Sequence, residues 1–569
     1  MSKIELIAPC HFGLEAVLKR EILDLGYEIV KVEDGRVTFR TDLEGIARSN
    51  IFLRTAERIL LKIGSFKAYT FDDLFEGTKK LPWEDYIPEN GRFWVKKAST
   101  AKSKLFSAPD IQSIVKKAMV DRMKSKYKVS WFNEDGDDYP VRVFILKDQV
   151  TISLDTTGTP LHKRGYRKLV SEAPIRETLA AALLMLTPWH KDRILVDPFC
   201  GSGCTGVEAI CYGRDFIGYD LNPTAIAISN ATLKNDVNIE ELKADFERIK
   251  SNCKEEILSL YKTEDLCEKC KEPLYIKYQL MGPKYRDKEM VALYCPKCSG
   301  DKILKKREIS EADRKLIEKI NNIKINKWYP DNEFPKKFYK DRFSYKGISK
   351  VSDMYTKRNL YALSIIFDEI NKIQNKNKEL LLIAFSNTVL HSSKLKGENV
   401  RPLGVNNYWI PDDYIEENVW FRFENRVKNL IDSKIKLNEK IKNVGVTTGK
   451  YNVKKKSALS LKEKECIDYI FTDPPYGDAI QYSELSFIWN SWFKEVYDIE
   501  EEIIINPVQN KGNEEFNNLL FKSLDNIYSA LKNEKFFTLC FQNKNYAIWE
   551  DIINYCKKLG FSLYEIGIY

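Results

Sequence analysis

The stretch richest in chemistry is Asp473-Pro474-Pro475-Tyr476-Gly477-Asp478. It follows the apolar run Ile467-Asp468-Tyr469-Ile470-Phe471, which reads as a buried strand, so the carboxylate and the ring stand where a strand runs out into a loop. Two successive prolines fix φ and remove two backbone donors, leaving a stiff, open turn. The carboxyl edge of a sheet is where α/β proteins bind ligands, and such a turn would hold Asp473 and Tyr476 rigidly there. An exocyclic amino group of a nucleobase suits this pair. Asp473 and a backbone carbonyl would take its N–H protons, Tyr476 would stack on the ring, and the nitrogen lone pair would stay free to attack an electrophilic methyl. A plain proline turn closing a strand would show the same residues, so the weight falls on the rest of the chain.

A second loop adds weight. Arg193-Ile194-Leu195-Val196-Asp197 reads as a strand, and Pro198-Phe199-Cys200-Gly201-Ser202-Gly203 as the loop that enters a helix at Cys204. Glycines let backbone approach a ligand closely, and the helix start offers free N–H donors. Phe216-Ile217-Gly218-Tyr219-Asp220 is a second strand ending in an acid, 17 residues after Gly203, placed to take two ribose hydroxyls as paired acceptors. A nicotinamide dehydrogenase would show the same loop and acid, but it leaves Asp473 and Tyr476 unexplained. Asp245, in Leu242-Lys243-Ala244-Asp245-Phe246, could hydrogen-bond an adenine amino group with Phe246 against the ring; an Asp within a lysine-rich helix would look identical.

Between these two halves the parallel-sheet pattern is interrupted. Cys267-Glu268-Lys269-Cys270 and Cys295-Pro296-Lys297-Cys298 form two CxxC pairs separated by 24 residues. Two knuckles of this kind complete a tetrahedral zinc site, and with no further ligand nearby the zinc is expected to be structural. Strand-like runs at Tyr275-Ile276 and Val291-Ala292-Leu293-Tyr294 argue against four free thiols in a loop. Further on, Asn418 to Arg426 could be a substrate-facing aromatic strip, but a buried core around Trp420 and Phe423 is the favoured reading. Val427 to Glu465 reads as a surface helix and loop.

These residues must be positioned by several domains, because 569 residues exceed one core. The amino-terminal part reads as a strand at Lys3–Ala8, a helix at Gly13–Leu25 and a hairpin at Glu28–Thr41. Helices at Asp42–Leu53 and Asp110–Tyr127 and strands at Arg92–Val95, Val141–Leu146 and Val150–Leu154 come next. After Asp473 come a strand at Lys535–Phe541, a helix at Ala547–Lys558 and a sixth strand at Phe561–Tyr569. Twelve cysteines, only four with framework spacing, exclude a disulfide scaffold. The absence of a long apolar run and of a signal-peptide pattern predicts a soluble, cytoplasmic protein without a membrane partner. Net charge is +9, and residues 91–170 hold 17 Lys and Arg against 8 Asp and Glu, an excess of +9 in that segment alone. Interleaved Phe93, Trp94, Tyr127 and Trp131 could stack on bases.

Two resemblances follow from these motifs. Leu154-Asp155-Thr156-Thr157-Gly158-Thr159-Pro160-Leu161-His162-Lys163-Arg164-Gly165-Tyr166-Arg167 and Glu172-Ala173-Pro174-Ile175-Arg176-Glu177-Thr178 resemble the end of a THUMP domain and the motif X segment of the THUMP-containing RNA methyltransferases. That resemblance covers residues 1 to about 225. Asp197 to Gly203 and Asp220 resemble motifs I and II of class I methyltransferases, and Asp473 to Tyr476 their amino-group motif IV. Residues from about 195 to 569 also resemble large proteins, described as DNA methylases, that carry a zinc ribbon before DPPYGD. The resemblance implies a class I, Rossmann-like α/β methyltransferase with an amino-terminal α+β ferredoxin-like and THUMP module and an inserted zinc ribbon plus helical segment. Its implied domains are 1–45 (ferredoxin-like), 46–166 (THUMP), 167–250 (motifs X, I, II and III), 251–465 (insertion, ribbon about 264–301) and 466–569 (motif IV). It further implies S-adenosylmethionine held by Thr178, Asp197, Phe199, Gly201, Gly203, Asp220 and Asp245, with Asp197 toward the methionine end, and catalysis by Asp473, Pro474, Pro475 and Tyr476. RNA is the favoured partner; the alternatives are a DNA amino-methyltransferase and an inactive RNA-binding protein.

Overall fold

A computed structural model of the chain describes residues 3–163, 176–186, 194–211, 213–285, 289–335, 338, 343–403, 408–444, 449–495, 497–543 and 545–563. It divides into two compact units, one formed chiefly by residues 1–164 and 175–187, the other chiefly by residues 188–564. Residues 164–175, with Glu172 to Ile175 of the motif X-like stretch, lie outside the described residues, as do Arg193 and residues 564–569.

The first unit runs β1 (Ile4–Pro9), α1 (Glu15–Asp24), β2 (Glu28–Glu33), β3 (Arg36–Thr41), α2 (Glu44–Phe52), β4 (Leu60–Lys67), α3 (Phe71–Lys79), β5 (Arg92–Ala101), α4 (Ala108–Tyr127), β6 (Asp138–Leu146), β7 (Gln149–Asp155) and α5 (Glu177–Leu186). Its seven strands form one sheet in the order β2-β3-β1-β4-β7-β6-β5. The expected break near residue 45 is therefore bridged: Leu6 and Ile7 of β1 pair with Leu61 and Leu60 of β4. β4 and α3 have no counterpart among the sequence expectations. Thr70 and Asp73 cap α3 reciprocally, which fixes its start. Of the four rings expected to face bases, Phe93 is in the core and Tyr127 donates its hydroxyl to the Ile87 carbonyl at 2.7 Å. Trp131 is 81% exposed.

The second unit begins with β8 (Leu195–Asp197), α6 (Cys204–Cys211), β9 (Phe216–Asp220), α7 (Pro223–Leu233) and α8 (Ile239–Ser259). The insertion follows as β10 (Lys262–Leu266), β11 (Pro273–Met281), β12 (Met290–Tyr294), β13 (Lys305–Glu308), α9 (Glu311–Asn321), α10 (Lys357–Asn371), α11 (Asn377–His391), β14 (Tyr414–Glu417) and α12 (Val419–Val444). The chain then returns through β15 (Tyr451–Lys455), β16 (Ile467–Thr472), α13 (Tyr482–Phe493), α14 (Asn513–Ala530), β17 (Leu531–Leu539) and α15 (Tyr546–Leu559). Five strands make an all-parallel sheet in the order β15-β9-β8-β16-β17.

β15 corrects the reading of residues 427–465 as helix and loop. α12 already begins at Val419, and the short Tyr451–Lys455 strand pairs with Phe216–Asp220 of β9. The chain therefore leaves the parallel sheet after β9 and rejoins it at 451, not 466. Phe561 to Leu563, expected to open a sixth strand, are not in a strand.

The insertion has its own antiparallel sheet, β10-β11-β12-β13 with β14 on β11, and a core shared by α8, α10, α11 and α12. Trp420 (1% exposed) and Phe423 (0%) lie in that core as expected. Lys434 of α12 reaches back to the carbonyls of Ala231, Thr232 and Lys234, satisfying the carboxyl end of α7 with a buried ammonium. This clamp ties the insertion to the helix that follows Asp220.

Candidate active site

Three neighbouring parallel strands deliver three carboxylates to one edge. β9 ends in Asp220, β8 ends in Asp197, and β16 ends at Thr472 immediately before Asp473. The apolar runs that make these strands buried end in an acid at the carboxyl rim, where the sheet's backbone bonding stops.

Asp197 is 2% exposed and organises the glycine loop: Oδ1 accepts the Phe199 N–H at 3.1 Å and Oδ2 the Thr205 hydroxyl at 2.7 Å. Burial pushes its carboxyl up to about 7, and the neighbouring Asp473 and Asp220 add to this against the two donated bonds. Asp220 accepts the Gly201 N–H at 2.9 Å and the Asn222 N–H at 2.8 Å, one on each oxygen. Burial raises it to about 6. The acid of the second strand thus bonds directly to the loop of the first.

Gly201 (φ +52°) and Gly203 (φ +76°) both occupy the left-handed region. A Cβ on Gly203 would lie 3.1 Å from Ser229 Oγ, whereas one on Gly201 would meet nothing closer than 3.9 Å. The loop at Gly201 is therefore open to an approaching group. Between the two, Ser202 Oγ is buried with no hydrogen-bond partner among the described residues, and Phe199 is half-buried against the neighbouring core.

Asp473 accepts a hydrogen bond from the Tyr476 hydroxyl. Burial lifts its carboxyl to about 6, opposed by that bond. The Tyr476 ring meets Phe541 edge-on at 5.7 Å and 87°, and the Asn543 side-chain amide donates to the Tyr476 carbonyl at 2.9 Å. Pro474 and Pro475 supply the stiff turn between them. Strand β17 is thereby the support of the turn, through Cys540 N–H to the Thr472 carbonyl at 2.8 Å as well.

Residues that the sequence did not single out complete the rim. Burial raises the Tyr482 hydroxyl pKa, with the charges of Asp473 and Asp220 acting in the same direction. The Cys540 thiol is held protonated by burial and by Asp473 and Asp197. Tyr482 follows the turn by six residues, so its nearness in sequence was a usable signal; Cys540 and Asn543 carried none. The loop at Ile505 is pinned to the turn by its N–H to the Gly477 carbonyl at 3.2 Å.

Two expected cofactor residues make other contacts. Asp245 lies in the middle of α8, not at a strand end, and its Oδ2 accepts from Asn375 at 2.7 Å and Asn377 at 2.8 Å. Phe246 stacks on Trp420 in the insertion core, 6.2 Å between centroids. Both are consumed in joining α8 to the insertion. Thr178 belongs to the first unit, where its hydroxyl donates to Glu57 Oε1 at 2.6 Å. That Glu57 also faces His11 at 3.3 Å and His162 at 2.6 Å; these bonds, together with Thr178, outweigh burial and hold it at about 2.

The four cysteines converge. The Sγ atoms of Cys267, Cys270, Cys295 and Cys298 all lie within 4.8 Å of one another. Each knuckle is closed by its own backbone, Lys271 N–H to the Cys267 carbonyl and Ser299 N–H to the Cys295 carbonyl. Sulfurs around a zinc at about 2.3 Å stand about 3.8 Å apart, so the donor set fits.

Comparison with known proteins gives three matches in chain order: the RlmL ferredoxin-like domain over residues 5–60, the THUMP domain over 68–155, and the RMKL-like methyltransferase domain over 164–263. YpsC of Bacillus subtilis (strain 168), which carries an RNA-methyltransferase name, is 51% identical over 230 residues, 39% of this chain and 59% of its own. The ribosomal RNA large subunit methyltransferase K/L of Buchnera aphidicola subsp. Schizaphis graminum is 28% identical over 353 residues, 51% of this chain and 49% of its own. The crystal structure of a methylase candidate from Clostridium difficile 630 shares 46% identity over 41% of this chain and 72% of its own, with a TM-score of 0.40. The chain spans about half to three-fifths of the length of the curated relatives it matches. The insertion's zinc knuckles and the Asp473 turn lie beyond residue 263, where the last of the three domain matches ends.

Proposed function

From a chain that belongs, over residues 5–263, to the THUMP-domain-containing methyltransferases, we propose an S-adenosylmethionine-dependent enzyme that methylates an exocyclic amino nitrogen of an RNA base. The observation that carries the reading is the row of Asp220, Asp197 and Asp473 on three adjacent strands, with Tyr476 on the last acid. Asp220 keeps spare lone pairs on both oxygens for two ribose hydroxyls. The open face of Gly201 and the unpartnered Ser202 hydroxyl leave backbone and side-chain room for a ligand. Asp197 and Asp220, both raised by burial, favour a cationic guest, because a positive charge beside them restores their ionised forms. S-adenosylmethionine, when bound, supplies an electrophilic methyl on a sulfonium of that charge.

Asp473 would receive the target amine in place of the Tyr476 hydroxyl, accepting one N–H and orienting the nitrogen lone pair. Its carboxyl near 6 makes it a stronger base than a solvated carboxylate, suited to take the amine's proton late in transfer. Tyr476 would stack on the base, which must be unpaired or flipped to reach it. Most of the rate advantage then comes from positioning and from aligned charge. The amino-terminal unit, with its THUMP domain, would hold the RNA. Guanine N2 and adenine N6 both satisfy this chemistry. Cys267, Cys270, Cys295 and Cys298 would hold a structural zinc, since four thiolates leave no open coordination position.

Asp473→Ala separates substrate from cofactor roles: transfer is abolished while S-adenosylmethionine binding, by calorimetry, stays within about two-fold. Equal loss of cofactor binding in Asp473→Ala and Asp220→Ala would refute the assignment.

A further inference from the structure

The helix that follows the Asp473 turn brings to the rim a side chain that the methyl-transfer reading leaves unused. α13 opens at Tyr482, six residues after Tyr476, and Tyr482, Ser486 and Asn490 share one face at four-residue spacing. That face is turned to the start of α7. Asn490 Oδ1 accepts the Thr224 hydroxyl at 2.6 Å, and Thr224 stands four residues after Asp220. Asn490 Nδ2 donates to Ser486 Oγ at 3.1 Å, and Ser486 Oγ to the Tyr482 carbonyl at 2.7 Å, which carries the contact up the helix. Helix side chains lean toward the amino end, so the half-buried Tyr482 ring extends past the start of α13, with Asp220 on one side and the Asp473 turn on the other. Burial, then the charges of Asp473, Asp220 and Glu502, keep its hydroxyl protonated. Among the described residues that hydroxyl has no hydrogen-bond partner, whereas the Tyr476 hydroxyl already donates to Asp473.

A buried loop fixes this first turn of α13. Glu502, 2% exposed, accepts the Ser483 N–H at 2.8 Å and the Ser483 hydroxyl at 2.5 Å, so a carboxylate caps the helix beside Tyr482. The Lys511 ammonium closes the loop on the carbonyls of Ile499, Glu500 and Glu502 at 2.5, 3.0 and 2.8 Å. Asn506, fully buried, donates to the side chains of Gln481 at 2.9 Å and Glu484 at 3.0 Å, and Gln481 donates to the Ile505 carbonyl at 3.0 Å. Because the Ile505 N–H bonds the Gly477 carbonyl, one loop holds both the Asp473 turn and Tyr482. A hydroxyl donor fixed in such a place without an acceptor costs free energy, and a ligand acceptor removes that cost.

In guanine and in adenine the carbon that bears the amino group is also bonded to a ring nitrogen with an in-plane lone pair. The base edge therefore presents a donor beside an acceptor. The Asp473 carboxylate matches the donor, and a protonated hydroxyl next to it matches the acceptor. We propose that Tyr482 binds the target base, its hydroxyl donating to the ring nitrogen beside the amino group, and that Glu502 is its positioning residue. The proposal rests on the active-site reading above. It adds a base-edge contact to the stacking by Tyr476 and gives residues 499–511 a role in substrate binding.

The test uses the full chain, labelled S-adenosylmethionine and total RNA as methyl acceptor, with cofactor affinity from calorimetry. Tyr482→Phe keeps the ring and should lower kcat/KM for RNA about 10-fold, while cofactor affinity stays within about two-fold. Glu502→Ala should lower kcat/KM by a similar factor, and the double variant no further, because Glu502 acts through Tyr482. Glu502→Gln keeps an acceptor for the Ser483 N–H and should restore most of the loss. Unchanged kcat/KM in Tyr482→Phe overturns the proposal, and this variant alone decides it if Glu502→Ala does not fold. A loss in Tyr482→Phe that appears as weaker cofactor binding also overturns it, since the hydroxyl would then serve the ribose or the sulfonium. Losses that multiply in the double variant overturn the positioning role of Glu502. No label in RNA from the unaltered protein would sink the active-site reading and this inference together; equal transfer by the unaltered protein and Tyr482→Phe sinks this inference alone.

Discussion

Lowering the pH from 7.5 to 5.5 should weaken S-adenosylmethionine binding about four-fold through Asp220 alone. Burial lifts this carboxyl to about 6 against the N–H bonds from Asn222 and Gly201. It is then about 97% ionised at pH 7.5 and about 24% at pH 5.5. Only the ionised form offers an acceptor pair to two ribose hydroxyls while still holding Gly201 and Asn222. The sign follows from linkage. A raised acid contributes stability below its unfolded value of 3.8 that is lost as pH rises toward about 6, so the ligand-free fold resists ionisation. A ligand that needs the ionised form therefore binds better as pH rises and releases protons on binding. A positive sulfonium near Asp197, held up to about 7, strengthens the same trend. Calorimetry at pH 5.5, 6.5 and 7.5, in buffers of different ionisation enthalpy, reads both affinity and proton release. Affinity that is flat or falls with pH would refute the reasoning, as would an Asp220→Asn protein that keeps the full pH dependence.

Other consequences are more local. Asp220→Ala removes two charge-assisted acceptors and the anchor of Gly201, so cofactor affinity should fall about 100-fold by calorimetry. Tyr476→Phe keeps the ring against Phe541 and frees Asp473, so methyl transfer should stay within a few-fold; Tyr476→Ala should cost about 1–3 kcal/mol of substrate binding. Mass analysis of the native protein should show one zinc per chain. Cys298→Ser should lower that stoichiometry and the melting temperature together. Lys434→Ala strands the carbonyls at the end of α7 and should destabilise by about 1–3 kcal/mol in denaturant unfolding.

The three acids of the rim were legible because each sits at a change from an apolar run to a polar loop, a local pattern that needs no tertiary knowledge. Asp197 and Asp220 follow Leu195-Val196 and Phe216 to Tyr219, and Asp473 follows Tyr469 to Thr472. The four cysteines were legible for a similar reason, since ligand spacing is set by knuckle geometry. β15 was hidden by its composition. Tyr451-Asn452-Val453-Lys454-Lys455 is a strand because β9 pairs with it, not because its residues demand one. Missing it misplaced the return of the insertion and left Asp245 as a stand-in for an acid at a third strand end. Asp245 sits instead on an amphipathic helix whose polar positions are taken by Asn375 and Asn377, contacts more than 100 residues distant in sequence. Phe93 was misread in the same way, because an aromatic among lysines in β5 faces inward by strand alternation. The supports of the Tyr476 turn, Cys540 and Asn543, arise from the register of β16 on β17, which no local pattern records.

The central claim is that the Asp473 turn transfers a methyl group to an exocyclic nitrogen in RNA. The most direct measurement is incorporation from labelled S-adenosylmethionine into matched pools of total RNA and genomic DNA, followed by nucleoside mass analysis. The account predicts label in RNA, on guanine N2 or adenine N6, and none with Asp473→Ala. Label confined to DNA as N6-methyladenine or N4-methylcytosine, or placed in RNA on carbon or ribose oxygen, would contradict it.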